Sequence, residues 1–117
     1  MIVRPLKRSD EYKSRIRKYA KALATRYRVE IADVFLLSVQ SAEQLIYKNN
    51  KAGTDVPYIL AEQQVILKEL YFVSGPAKYC LIYEFRADYV GLISLWHGMG
   101  SRNTDVLSRI WQRGRSS

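Results

Sequence analysis

The stretch AKYCLIYEFRADYVGLISLWHG, residues 77–98, decides the fold. Ala77–Phe85 is aromatic and aliphatic with a period of two, which predicts a strand. Tyr79, Leu81, Tyr83 and Phe85 share one face, and Lys78, Cys80, Ile82, Glu84 and Arg86 share the other. Arg86-Ala87-Asp88 reads as a turn, and Tyr89–Trp96 as a strand returning beside the first. On the other side, Ser74-Gly75-Pro76 is a turn that leads back to a third apolar run, Val65–Phe72. Three strands joined by short turns predict an antiparallel meander. Its Tyr79 face belongs against helices, and its Cys80 face is apolar at the centre with charged ends.

Further towards the N-terminus the period changes to that of helices. Phe35, Val39, Ala42 and Ile46, widened by Ile31, Val34 and Leu45, predict a helix over 29–48. Tyr12, Ile16, Tyr19 and Leu23 predict an earlier helix, with Ser9 or Asp10 as its cap and Lys13, Arg15, Arg17, Lys18 and Lys21 facing outward. Only Thr25-Arg26-Tyr27-Arg28 separates the two, so they form a helical hairpin. Residues 2–6 read as a short strand, which Pro5 makes an edge strand or a strand end. Asn49–Thr54 ends the helical region, and 54–64 reads as a loop with one helical turn near Leu60. After a polar link at 98–103, residues 104–113 predict a short helix. Thr104 is its cap, Val106, Leu107, Ile110 and Trp111 its apolar side, and 113–117 a frayed end.

The expected fold is therefore α+β: a short N-terminal strand, a helical hairpin, a three-stranded antiparallel meander and a short C-terminal helix. Residues 1–103 make the domain, and 104–117 a helix and basic tail. The four strands carry helices on one face, which leaves Cys80 and Ile82 partly bare on the other.

With 117 residues and 48% hydrophobic residues, one domain can form a core without metal or disulfide staples. Cys80 is the only cysteine, so no intrachain disulfide forms and a structural zinc site is not expected. It reads as a small core hydrophobe rather than a nucleophile. No apolar run reaches the ~20 residues of a membrane helix, and the N-terminus lacks a secretory h-region, so a cytoplasmic protein is expected. The net charge of +8 is concentrated: residues 1–28 hold 10 Lys/Arg against 2 Asp/Glu, whereas 29–97 hold 5 against 8. A basic N-terminal segment suits an acidic partner, either nucleic acid or an acidic protein segment.

The order of elements, with Lys78–Phe85 followed by Val90–His97 and Gly98, resembles the RelE/ParE toxin superfamily over residues 2–103. Lys68-Glu69-Leu70 sits where many members carry Arg-x-Leu or Lys-x-Leu. The resemblance implies a toxin silenced by a co-expressed antitoxin. Members of the family either cleave messenger RNA, usually on the ribosome, or inhibit DNA gyrase.

Metal-independent RNA cleavage needs a base for the ribose hydroxyl, cations for the phosphate and an acid for the leaving oxygen. The residues available are His97, Lys68, Arg86, Arg102 and Glu69, with Tyr83 as a hydrogen-bonding partner that alternation places in the core. His97 is the only histidine. No cofactor or metal is implied. Ribonuclease relatives often carry a late tyrosine, whereas here none follows Tyr89. The run from His97 to Arg102 looks like the His-Gly-x-Arg ending of the gyrase-directed branch, longer by two residues. Gyrase inhibition is the first expectation, RNA cleavage the second, and a basic nucleic-acid-binding module without toxicity the third.

Overall fold

The computed structural model describes residues 4–98 and 104–116, with the backbone alone for 104–106 and 114–116. The elements are β1 (Leu6–Arg8), α1 (Asp10–Arg26), α2 (Val29–Lys48), β2 (Thr54–Leu60), β3 (Gln63–Ser74), β4 (Ala77–Phe85), β5 (Val90–His97) and α3 (Thr104–Ser116). The α+β class and the order of hairpin, meander and C-terminal helix follow the sequence reading.

Ser9 starts α1 as expected. Its Oγ accepts the Tyr12 N–H at 3.0 Å, and its hydroxyl donates to the Ile93 carbonyl at 2.6 Å. The cap thus satisfies an orphan helix donor and also pins the helix start to β5. Asp10 and Glu11 in the first turn suit the helix dipole. At the other end the Tyr27 N–H returns to the Leu23 carbonyl at 2.9 Å. Only Tyr27 and Arg28 link α1 to α2, fewer residues than the sequence suggested.

The strands form one sheet in the order β1-β5-β4-β3-β2, with β1 parallel to β5 and every other pair antiparallel. β1 starts at Leu6 rather than at residue 2. Residues 2 and 3 lie outside the described part, and Pro5 contributes only its carbonyl, which accepts the Val90 N–H at 2.9 Å. The larger correction is β2. Residues 54–64 are not a loop, and the expected helical turn near Leu60 does not form. Thr54–Leu60 pairs with β3 from Thr54↔Glu69 to Leu60↔Gln63, which makes the sheet five-stranded. The two residues between these strands, Ala61 and Glu62, have φ of 53° and 64°. That is the left-handed two-residue turn that suits a hairpin, made here without the usual Asn or Gly. α3 also runs on to Ser116, past the expected frayed start at Arg113. Thr104's capping role lies outside the described side chains.

Side-chain alternation in β4 sorts the interior into two layers. Tyr79, Leu81 and Tyr83 pack with Tyr12, Phe35, Val39 and Ile46 beneath the hairpin. Cys80 and Ile82, on the other face, pack with Leu60, Leu67, Leu107, Ile110 and Trp111. The expectation of a partly bare second face is therefore overturned. Cys80 and Ile82 are fully buried, because β2 supplies Leu60 and α3 lays its apolar side across the sheet.

One polar cluster crosses the first layer. Glu43 of α2 receives the Arg8 guanidinium from β1 and, at 2.6 Å, the Tyr12 hydroxyl from α1. Three elements are tied at one carboxylate.

Candidate functional site

β5 carries His97 to the tip of the sheet, where it pairs with Tyr79. Gly98 then turns away at φ 80°, and its N–H donates to the Lys78 carbonyl at 2.7 Å. The His97 backbone N–H donates to the Tyr19 hydroxyl oxygen at 3.2 Å, so α1 fixes the end of the strand. The Tyr19 hydroxyl donates in turn to the Leu95 carbonyl at 3.4 Å. The His97 ring meets Tyr79 edge-on with centroids 5.2 Å apart, and Tyr19 lies 5.8 Å from Tyr79.

These rings wall a cleft of about 370 Å³ between the hairpin tip and the β3–β4 turn. Leu23, Ile31 and Val34 line its apolar part, and Arg26 and exposed His97 stand at its rim. Burial and the neighbouring Tyr19 hold the Tyr79 hydroxyl above the ordinary tyrosine range. The cleft is built to receive an apolar or planar group beside one cation and one imidazole.

The other residues singled out in the sequence do not join His97 there. Lys68 pairs with Tyr83 in the β3–β4 ladder, and its ammonium is bound to Asp55 at 2.5 Å. Four residues along β4 and two strands across place it roughly 16 Å from His97 at standard strand spacings. Arg86 lies beyond the opposite end of β4 and on the opposite face, 3.8 Å from Glu84 and 5.5 Å from the Tyr89 ring. Seven residues of strand separate it from Tyr79, roughly 23 Å. Glu69 faces the α3 side, where it accepts hydrogen bonds from Tyr58 and, at 2.9 Å, from Tyr71. Tyr83 is structural. It accepts the Gly53 N–H at 2.8 Å and donates to the Asn50 carbonyl at 3.1 Å, which closes the link from α2 to β2. Arg102 lies outside the described residues.

Tyr19 and Arg26 are the cleft residues that sequence reasoning missed. Tyr19 sat in the α1 core stripe and Arg26 in the inter-helix link, and only the register of β5 brings them to His97.

The basic face of α1 is present as expected. Lys13, Arg17, Lys18 and Lys21 are exposed, and among the described residues only Lys13 of these has an acidic neighbour, Asp10 at 3.6 Å. Arg15 is instead held inward, paired with Glu11 at 2.7 Å and stacked 3.9 Å over Trp96. Among the described residues no helix is long and apolar enough to cross a membrane, and no cluster of metal-ligating side chains occurs. No protein-family model, curated protein or solved structure matches the chain.

Proposed function

We propose that the chain is the toxin of a toxin–antitoxin pair, and that it arrests growth by binding DNA gyrase rather than by cutting RNA. One observation carries the choice between the two modes. The acid/base histidine and the two described cations expected of a ribonuclease stand in three separate places, one of them on the opposite face of the sheet. Lys68 is neutralised by Asp55, and Arg86 lies beside Glu84. General acid–base catalysis requires its groups within hydrogen-bonding reach of one reacting phosphate. Here the Lys68 and Arg86 backbone positions stand roughly 16 and 23 Å from the His97 end of the sheet, with Lys68 drawn further away towards Asp55 on β2. A binding mode needs only a surface, and the α1 face supplies one: a row of cations with few acidic neighbours.

The antitoxin is then an acidic segment that covers this same α1 face. Its attachment cannot rest on a bare Cys80 face, because α3 already fills it.

The test is induction of the chain without its neighbouring gene, with transcript ends and plasmid supercoiling followed together. Intact transcripts with loss of negative supercoiling are expected. Rapid codon-linked cleavage would replace this reading with the ribonuclease one, and harmless induction would remove the toxin class itself.

A further inference from the structure

The sheet has an edge inside its own outline. β2 covers β3 only as far as Glu69, while β4 covers it to Ser74. The backbone of Leu70–Ser74 therefore has a strand on one side and, among the described residues, none on the other. We infer that this segment is the twofold seam of a homodimer, in which two copies of β3 pair antiparallel and join their sheets.

The outer strands show what a protected edge looks like in this fold. β2 carries exposed Asp55 and Pro57, and β1 is three residues long with Lys7 and Arg8 in it. Charge, proline and shortness all oppose edge-to-edge pairing. Leu70-Tyr71-Phe72-Val73-Ser74 has none of these guards. It is uncharged and of high β-propensity, and Val73 is 64% exposed. An unguarded edge of this kind is an association site unless something covers it.

The surface beside the edge points to the same occupant. Val34, Ser38, Ser41 and Leu45 recur at helical spacing on the flank of α2 beside the free strand. None is charged, and Val34 and Leu45 are each 49% exposed. The Val34–Leu45 row itself carries no cation for an acidic segment to meet; Lys48 lies beyond Leu45 on α2, and Lys78 lies over the Tyr71 ring at 5.3 Å. A second copy brings the same uncharged Val34–Leu45 row to meet it. Pairing centred on Phe72 sets Tyr71 of one copy opposite Val73 of the other. A twofold axis perpendicular to the sheet keeps both α2 helices on one face, where their Val34–Leu45 flanks meet across the seam. The contact is isologous and closes at two copies.

This inference does not depend on the proposed toxin activity, and its test is a measurement of mass on the purified full-length chain. Sedimentation is expected to give twice the 13.6 kDa of one chain. Val73→Lys puts a charge at the seam of each copy and is expected to weaken the dimer on the order of 100-fold, as loss of a central contact does. Leu45→Glu tests the helix flank in the same way. Both positions are exposed in the single chain, so circular dichroism of either variant should match that of the parent. Ile59→Lys, at a 72% exposed position on the guarded β2 edge, is expected to leave the dimer intact. A monomer at all concentrations up to roughly 100 μM, where a specific interface is populated, overturns the inference. So does a dimer that survives Val73→Lys and Leu45→Glu, or one that Ile59→Lys dissolves.

Discussion

The Tyr12 hydroxyl and the Glu43 carboxylate meet at 2.6 Å beneath the helical hairpin, with Tyr12 fully buried and Glu43 only 9% exposed. Arg8 closes the cluster from β1, and its bond to Glu43 raises the guanidinium pKa further. Replacing Glu43 by Ala strands the buried Tyr12 hydroxyl and leaves Arg8 without its partner. The Arg8 side chain is still 44% exposed, so the expected loss is about 2–3 kcal/mol rather than the full cost of a broken buried pair. Tyr12→Phe removes a single hydrogen bond and should cost about 1 kcal/mol. Urea unfolding midpoints of the two variants check both values and their order.

The same burial sets a response to alkali. Tyr12 is pushed well above the usual tyrosine range, first by burial and then by the Glu43 charge. Tyr79 and Tyr83 are also raised by burial. A tyrosine with a raised folded-state pKa keeps its proton in the native chain while the unfolded chain begins to lose it near pH 10. Its contribution is complete below that value and declines as pH climbs towards the folded-state pKa. Thermal midpoints are therefore expected to be flat up to about pH 9.5 and to fall steadily above it. Tyr12→Phe should make that fall shallower, and a midpoint that rises with alkali would contradict the assignment.

The β2–β3 turn accounts for most of what the sequence left illegible in the fold. α2 and β4 are readable to the residue, because Phe35–Ile46 and Tyr79–Phe85 keep a strict period. β2 is not. Pro57 interrupts its pattern, and its turn uses Ala61 and Glu62 in the left-handed region that Asn and Gly normally occupy. Only the cross-strand pairing with Gln63–Glu69 makes this segment a strand. Because that conformation strains an ordinary side chain, Ala61→Asn combined with Glu62→Gly is expected to stabilise the protein by about 1 kcal/mol. A fall in the unfolding midpoint would show that the turn is not of this type.

Gly53 shows the opposite constraint. A Cβ there would lie 3.0 Å from the Glu69 carbonyl oxygen and 3.0 Å from the Tyr83 ring. The backbone oxygen cannot move aside, and Tyr83 is fixed by its bonds to Gly53 and Asn50. Gly53→Ala is expected to cost about 1–3 kcal/mol through overpacking, read as a lowered unfolding midpoint with secondary structure retained.

The second face of the sheet was misjudged for a similar reason. The pattern of β4 shows that Cys80 and Ile82 share a face, but not that α3 returns to cover it. The cover is testable through the thiol. Cys80 is fully buried under Leu107, Ile110 and Trp111, so native protein should resist thiol-modifying reagents. Leu107→Ala should cost about 2–5 kcal/mol and speed labelling, as a cavity beneath a covering helix does. Rapid labelling of the parent chain would contradict the packed second layer.

The candidate site was less legible than the fold. His97 is prominent in sequence as the lone imidazole, yet its neighbours come from α1 and the α1–α2 link, some 70 to 80 residues away in the chain. Lys68 and Arg86 were its expected companions as the cations for a phosphate. The period of two already set Arg86 on the opposite face, but the register that separates Lys68 from His97 is not in the periodicity.

The central claim is that the chain acts by binding gyrase. The most direct measurement adds purified protein to gyrase, ATP and relaxed plasmid, with ribosome-bound messenger RNA as the parallel substrate. Concentration-dependent loss of supercoiling is expected, retained by a Lys68→Ala/Arg86→Ala/His97→Ala chain and weakened when Arg17, Lys18 and Lys21 are replaced by Glu. Unimpaired supercoiling, together with RNA cleavage that disappears in the Lys68/Arg86/His97 variant, would contradict it.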